Sequence, residues 1–200
     1  MTTLNYEKIL SATVDGEKIK YGILFGNEKI VFIKVGVDGN IRGYQDKYLK
    51  MAHRVHSRIG ATVICASNPY ISEPAHIEAD KVLIHKLITE RDFENYEMYF
   101  VGNSDGGEHS LKLAQQFPET VTFFGINSSW SNMETFLERI QSIPHARKIF
   151  VYGEKDSDFH DIAPKLKALA CDNLEIVVLD GVDHHFTDKV DDFIALIDLI

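Results

Sequence analysis

The sequence contains few of the residues that define disulfide-rich or disordered proteins. It has 2 cysteines, Cys65 and Cys171, and 5 prolines among 200 residues. Two cysteines far apart do not form the dense disulfide framework of a small secreted domain, so we expect two free thiols in a reducing cytoplasm. The low proline content and the 44% of hydrophobic residues are typical of a globular protein, and we expect a single domain over residues 1–200.

Long apolar runs and an excess of basic residues are also missing. No stretch approaches the roughly 18 apolar residues that a membrane-spanning helix needs. The N-terminal sequence MTTLNYEKIL has no basic segment followed by an apolar run, so we expect no signal peptide and no membrane partner. The 21 Lys and Arg are outnumbered by 30 Asp and Glu, which gives a net charge of -9. Because phosphate backbones bind basic surfaces, we expect no nucleic-acid partner.

Sequence motifs for cofactors and metals are absent as well. The glycine-rich segment VGNSDGG at 101–107 lacks the Lys-Ser/Thr pair of a phosphate-binding loop, and there is no G-x-G-x-x-G. The chain has 9 histidines, but no H-E-x-x-H motif and no repeated Cys/His spacing accompany them. We therefore expect neither a nucleotide cofactor nor a metal.

What the sequence does contain is an alternation of short apolar runs with segments of helical length. This alternation is typical of an α/β protein with a mostly parallel sheet and helices on both faces. Asp15-Gly16 separates the first two runs and predicts an antiparallel hairpin. The predicted strands are 9–14, 18–25, 30–35, 62–66, 98–102, 121–126, 148–152 and 174–179. The predicted helices are 44–58, 74–91, 107–117, 132–142, 162–171 and 188–199, with Pro164 in the first turn of the fifth.

The clearest chemical signal is the segment at 101–107, which matches G-x-S-x-G around Ser104. It lies between a predicted strand and a predicted helix. A strand that turns directly into a helix forces the corner residue into a strained conformation, and only small residues such as Gly102 and Gly106 fit beside it. The Ser104 hydroxyl then projects above the sheet, and the backbone N–H of Asp105 points toward a developing oxyanion. This context predicts a nucleophilic serine.

A nucleophilic serine requires a base, and the base requires an acid that orients it. Asp156 directly follows one predicted strand, and His184 and His185 follow the next. All three lie at the carboxyl ends of parallel strands, where open α/β sheets carry their sites. The spacing from Asp156 to the histidines leaves room for one helix and one returning strand. The residues alone leave His184 or His185 as the base, and Asp156, Asp158 or Glu154 as the acid.

These features resemble the α/β-hydrolase superfamily over nearly the whole chain. Members carry a G-x-x-D segment after the seventh strand and a G-x-D-H-x-F segment after the eighth. The matching segments here are Gly-Glu-Lys-Asp at 153–156 and Gly-Val-Asp-His-His-Phe at 181–186. The resemblance implies Asp156 as the acid and His184 as the base. Some members keep an acid after the sixth strand, where this chain has Asn127, whose amide cannot stabilise an imidazolium as a carboxylate does.

The sequence departs from this family after the third strand. Most members have His-Gly there, followed by the second oxyanion donor, whereas this chain has Lys34 and Val35. The backbone N–H of Gly36, or else that of Val37, would have to take that role beside the Asp105 N–H. Loss of one donor costs on the order of 10²–10³ in rate.

Only five residues, 127–131, separate the sixth strand from the next predicted helix, so we expect no cap domain and an open site. The resemblance implies a serine hydrolase that cleaves a carboxylic ester or related small-molecule acyl substrate through Ser104, His184 and Asp156. Two alternatives remain: a non-catalytic protein of the same fold that binds a ligand, and an acyltransferase with the same triad.

Overall fold

The computed structural model describes residues 4–71, 73–169, 171 and 173–200. Its described residues form eight strands and six α-helices, with short 3-10 turns at Tyr44–Asp46 and Leu196–Leu199. The strands are β1 (Lys8–Val14), β2 (Glu17–Leu24), β3 (Asn27–Lys34), β4 (Ala61–Ala66), β5 (Glu97–Asn103), β6 (Thr120–Ile126), β7 (Arg147–Gly153) and β8 (Leu174–Leu179). The helices are α1 (Lys47–Ile59), α2 (Glu73–Glu90), α3 (Asp105–Ala114), α4 (Met133–Gln141), α5 (Ser157–Ala168) and α6 (Val190–Ala195).

All eight strands belong to one sheet in the order β1-β2-β4-β3-β5-β6-β7-β8. The β1–β2 hairpin is antiparallel, β2 pairs antiparallel with β4, and the remaining pairs are parallel. The predicted fold class is therefore confirmed. Because β3 lies between β4 and β5, the loop that follows β3 comes next to the turn that follows β5, with Lys34 opposite Gly102. This placement assembles the candidate site.

Helices cover both faces of the sheet and produce two hydrophobic cores. One core packs α1 and α6 against the sheet through residues such as Leu49, Val55 and Phe193. The other packs α2 to α5 on the opposite face, with Leu111 and Phe136 among its buried members. Strands between two such layers are buried on both sides, and all six residues of β4 are buried. Burial on both sides explains why the sequences of the central strands are continuous rather than alternating apolar runs.

The fifth and sixth predicted helices differ most from the observed ones. The fifth was expected at 162–171 but spans Ser157–Ala168, because Asp156 rather than a later residue caps it; residue 170 lies outside the described residues. Pro164 is consequently inside the helix and not in its first turn. The sixth was expected at 188–199, but Asp188 has a left-handed φ of 56°. The α-helix therefore begins at Val190.

Candidate active site

The turn from β5 into α3 places Ser104 at a sharp corner. Its backbone has φ 53° and ψ −130°, and α3 begins at the next residue, Asp105. The left-handed φ is unusual for a residue other than glycine and marks local strain. Three backbone hydrogen bonds hold the corner: the Ser104 N–H donates to the Ile126 carbonyl at 2.9 Å, and the Ser104 carbonyl accepts the N–H groups of Gly107 at 2.9 Å and Ser129 at 3.3 Å.

The two flanking glycines allow the backbone segments around this corner to approach closely. A Cβ atom at Gly102 would lie 2.5 Å from the Gly107 Cα, and one at Gly106 would lie 2.5 Å from the Lys34 carbonyl oxygen. Real Cβ atoms do not come that close to backbone. Glycine is therefore required on both sides of Ser104 by the packing of β5, α3 and the end of β3.

Ser104, His184 and Asp156 are joined by two hydrogen bonds. The Ser104 Oγ lies 2.9 Å from His184 Nε2, and His184 Nδ1 lies 2.8 Å from Asp156 Oδ2. Asp156 is fully buried, whereas the His184 side chain is 29% exposed. The hydrogen bond to the Asp156 carboxylate raises the pKa of His184 against the opposing effect of burial. The three side chains expected to act together thus form one connected line.

Asp156 is positioned by the helix that it begins. Its Oδ1 accepts the Asp158 N–H at 2.9 Å as the N-cap of α5, while Oδ2 faces His184. The positive end of the helix dipole favours a carboxylate at this position. The same carboxylate therefore caps a helix and orients the imidazole.

The loop that carries His184 is held by Asp183 and Asn127. The Asp183 Oδ1 accepts the backbone N–H of Thr187 at 2.9 Å and that of His185 at 3.1 Å; these bonds, chiefly those to Thr187, lower the pKa of Asp183. From the neighbouring strand end, the Asn127 Nδ2 donates to the carbonyls of Asp183 at 3.1 Å and His184 at 3.0 Å.

The Asn127 side chain also reaches the strand that leads to the acid. Its Oδ1 accepts the Gly153 N–H at 2.8 Å, and its own φ is 42°. Asn127 is thus a positioning residue that links β6, the end of β7 and the His184 loop. Sequence reasoning considered this residue only as a replacement for an acid and missed this role. A polar residue directly after a buried strand, at the edge that carries the other site residues, was the available signal.

The alternative acids and base have other contacts. The His185 ring lies edge-on to that of His184, with 5.3 Å between their centres, and it does not take part in the line through Ser104. Glu154 Oε2 accepts the Gly181 N–H at 3.0 Å. Asp158, together with Asp156 and His184, forms a group in the described part of the chain whose ligand atoms lie within 4.8 Å of one another, close enough to hold a metal ion.

The expected oxyanion donors, Asp105 and Gly36, lie on either side of Ser104. Asp105 is the first residue of α3, so its N–H has no acceptor within the helix. A Cβ at Gly36 would lie 3.3 Å from the Ser104 Cβ. Burial raises the pKa of the Tyr48 hydroxyl, and the backbone N–H of Gly36 opposes that rise. The next amide along the loop is that of Val37.

Lys34, which stands where the family resemblance led us to expect a histidine, belongs to a buried polar group that the sequence did not reveal. The Lys34 Nζ lies 2.9 Å from Asp80 Oδ2 of α2, and both side chains are fully buried. The same carboxylate accepts the Tyr21 hydroxyl at 2.8 Å and lies 2.9 Å from His109 Nε2. Lys34 Nζ also lies 3.4 Å from His76 Nε2. We call these five residues the Lys34–Asp80 cluster.

Opposing electrostatic effects act in this cluster. Burial lowers the pKa of Lys34 and Asp80 opposes that change. Burial by itself raises the pKa of Asp80, but Lys34 and His109 together hold it below its usual value. Burial, with a further contribution from Lys34, lowers the pKa of His76 to about 3. His76 is therefore a neutral imidazole at physiological pH.

The cysteines, the histidines of α1 and the helices of the chain were also the subject of predictions. Cys65 and Cys171 are both free thiols, as expected. His53 and His56, three residues apart on α1, bind the carbonyls of Asn5 and Ala61 separately. None of the helices in the described parts of the chain combines the length and apolarity that a bilayer crossing requires.

No protein-family model and no curated protein sequence matches the chain. Several solved structures are similar to it. Est1E from Butyrivibrio proteoclasticus has 12% sequence identity and a TM-score of 0.75, with 96% of each chain covered. The esterase domain of a Rhodothermus marinus protein has 13% identity and a TM-score of 0.69, covering 96% of this chain and 95% of that one.

A third similar structure is XC6422 from Xanthomonas campestris, described as an α/β serine hydrolase without a lid. It has 14% identity and a TM-score of 0.65, and the match covers 99% of this chain and 95% of that one. Here too, six residues, 127–132, separate β6 from α4, so no cap is inserted at that position. At these identities the similarity shows a common fold.

Proposed function

The chain has the α/β-hydrolase fold, and on that premise we propose that it is a serine hydrolase of carboxylic esters. The observation that carries the proposal is the pair of hydrogen bonds from Ser104 to His184 at 2.9 Å and from His184 to Asp156 at 2.8 Å. Nucleophile, base and orienting acid in hydrogen-bond contact are the arrangement that acyl transfer through a serine requires. The esterases among the similar structures agree with this proposal.

In the proposed reaction, Ser104 Oγ attacks the ester carbonyl while His184 Nε2 accepts the hydroxyl proton. His184 then donates this proton to the departing alcohol, and an acyl-enzyme remains on Ser104. Water attacks that intermediate with His184 again as base. Asp156 holds the imidazole with its proton on Nδ1 and stabilises the imidazolium. The Asp105 N–H, with an amide of the Gly36–Val37 pair, binds the oxyanion.

Water must reach the acyl-enzyme for hydrolysis to occur, and the partly exposed His184 side chain supports access from solvent. Transfer to another acceptor would use the same triad, and product analysis in the presence of added alcohols or amines distinguishes the two reactions. The free thiols support a reducing, cytoplasmic site of action.

The proposal is tested by measuring p-nitrophenyl acetate hydrolysis by the wild type, Ser104→Ala, His184→Ala and His185→Ala. The first two substitutions are expected to reduce kcat by at least about 10³-fold. His185→Ala is the matched control, because its ring lies outside the hydrogen-bonded line, and it should stay within about twofold of the wild type. Equal activity of Ser104→Ala and the wild type would contradict the proposal.

A further inference from the structure

A small cavity opens beside the Ser104 corner, on the side away from His184. It has a volume of about 240 Å³, and its lining includes Val37, Asp105, Tyr70, Ile71, His76 and His109. Val37 follows Gly36, which lies close to the Ser104 Cβ, and Asp105 follows Ser104 itself. The cavity therefore adjoins the proposed oxyanion site.

The sheet order determines which half of an ester this cavity would receive. Ser104 follows β5, whereas Asp156 and His184 follow β7 and β8 on one side of it. The cavity is formed from the opposite side, by the segments that follow β3 and β4 and by α2 and α3. The departing alcohol must face His184, because it takes its proton from that imidazole. The acyl chain is then directed to the opposite side, toward the cavity.

One wall of the cavity is a buried imidazole with a defined hydrogen-bonding preference. His76 is only 3% exposed, and its Nε2 lies 3.4 Å from the Lys34 ammonium. An ammonium group can only donate hydrogen bonds, so Nε2 is the acceptor and the neutral ring carries its proton on Nδ1. Burial supports the neutral form by lowering the pKa of His76 to about 3. Within the described residues, the His76 ring hydrogen-bonds through Nε2 alone, and it lies edge-on to the His109 ring, so Nδ1–H is left for a ligand.

We propose that this cavity binds the acyl group of the substrate, and that the His76 Nδ1–H selects a short acyl group bearing a neutral oxygen, such as a hydroxy or oxo substituent. This inference rests on the proposed function. A hydrocarbon chain would leave the buried Nδ1–H without a partner, which is unfavourable. The Asp105 carboxylate lines the same cavity and disfavours an acidic substituent. The volume lies below the roughly 300–1,000 Å³ of cavities for drug-sized ligands, so the group is short.

The test compares esters that differ only by a hydroxyl in place of a methyl group. p-Nitrophenyl 3-hydroxybutyrate is compared with p-nitrophenyl 3-methylbutyrate, and 2-hydroxypropanoate with 2-methylpropanoate. Each kcat/KM is divided by the rate constant of the same ester with hydroxide, which removes intrinsic reactivity. The wild type should prefer the hydroxy ester of at least one pair by about tenfold, the effect of one well-placed hydrogen bond.

Two substitutions at His76 separate ligand recognition from the contact with Lys34. An asparagine places its amide near the former Nδ1 and lacks the reach to Lys34, whereas a glutamine can still meet Lys34 and leaves the Nδ1 position empty. We expect His76→Asn to keep the hydroxy preference and His76→Gln to lose it. His85→Leu is the control, since His85 lies exposed on the same helix and stacks on Phe117 outside the cavity.

A wild type without any hydroxy preference would overturn the inference. So would a preference that persists in His76→Gln or disappears in His76→Asn. Labelling of Ser104 by a fluorophosphonate is measured on the same samples. Absence of labelling would count against the proposed function itself, whereas full labelling without a hydroxy preference overturns only the assignment of the cavity.

Discussion

The role of Asn127 leads to a quantitative prediction about both stability and activity. Its side chain makes three hydrogen bonds to backbone groups, to Gly153 N–H, Asp183 carbonyl and His184 carbonyl, and the residue is fully buried. Each bond is worth about 1 kcal/mol. Its φ of 42° adds about 1 kcal/mol of strain for alanine, which tolerates the left-handed region less well than asparagine. Asn127→Ala should therefore lower the free energy of unfolding by about 4 kcal/mol.

Loss of these bonds should also displace the His184 loop. A displacement of about 1 Å of a catalytic group can cost on the order of 10²-fold in rate, so we expect kcat for p-nitrophenyl acetate to fall by about that factor while KM changes little. Urea unfolding followed by circular dichroism gives the free energy, and steady-state kinetics at a temperature where the variant is folded gives kcat.

Two further substitutions at this position separate strain from hydrogen bonding. Asn127→Gly removes the side chain without the left-handed penalty and should be about 1 kcal/mol more stable than Asn127→Ala. Asn127→Asp keeps the acceptor for the Gly153 N–H but brings a carboxylate oxygen toward two carbonyl oxygens, so it should lose activity as well. If Asn127→Ala unfolds within 1 kcal/mol of the wild type and keeps its kcat within twofold, the positioning role is refuted.

Three other substitutions test separate parts of the account. The hydrogen bond to Asp156 raises the pKa of His184 above its usual 6.5, so kcat/KM of the wild type should fall as the pH drops and the imidazole becomes protonated. In Asp156→Asn this acid limb of the pH–rate profile should move to lower pH, and kcat should fall by about 10⁴-fold. Asp80→Asn leaves the buried Lys34 charge without its counter-ion and should cost about 3 kcal/mol or more in urea unfolding; a loss below 1 kcal/mol would contradict this. Gly106→Ala places a Cβ 2.5 Å from the Lys34 carbonyl and should cost about 2 kcal/mol together with most of the esterase activity, and an unchanged melting temperature would exclude the clash.

The parts of the site that sequence reasoning located depend on local signals. Ser104 stands between a strand and a helix with glycines on both sides, so its signal lies within one continuous segment of the sequence. Asp156 lies shortly after β7 and His184 shortly after β8, and parallel strands bring such positions to one edge. The sheet and the Ser104–His184–Asp156 arrangement could therefore be predicted together.

The parts that sequence reasoning missed depend on contacts between distant segments. The Lys34–Asp80 ion pair joins residues 46 positions apart, and its existence follows from the packing of α2 against the sheet, which no local pattern encodes. The start of α5 was misplaced because more than one aspartate can cap a helix locally. In the folded chain, the residue that caps α5 is Asp156, which also contacts His184. That contact joins distant segments, so no local pattern reveals it.

The proposed nucleophile is tested most directly by mass spectrometry of the protein after reaction with a fluorophosphonate. Such reagents phosphonylate a serine hydroxyl that a neighbouring base has activated, and the adduct remains stable through digestion. Our account predicts one added phosphonyl group on the peptide that contains Ser104, and none on the Ser104→Ala protein. Unmodified wild-type protein, or a modification that persists after Ser104→Ala, would contradict it.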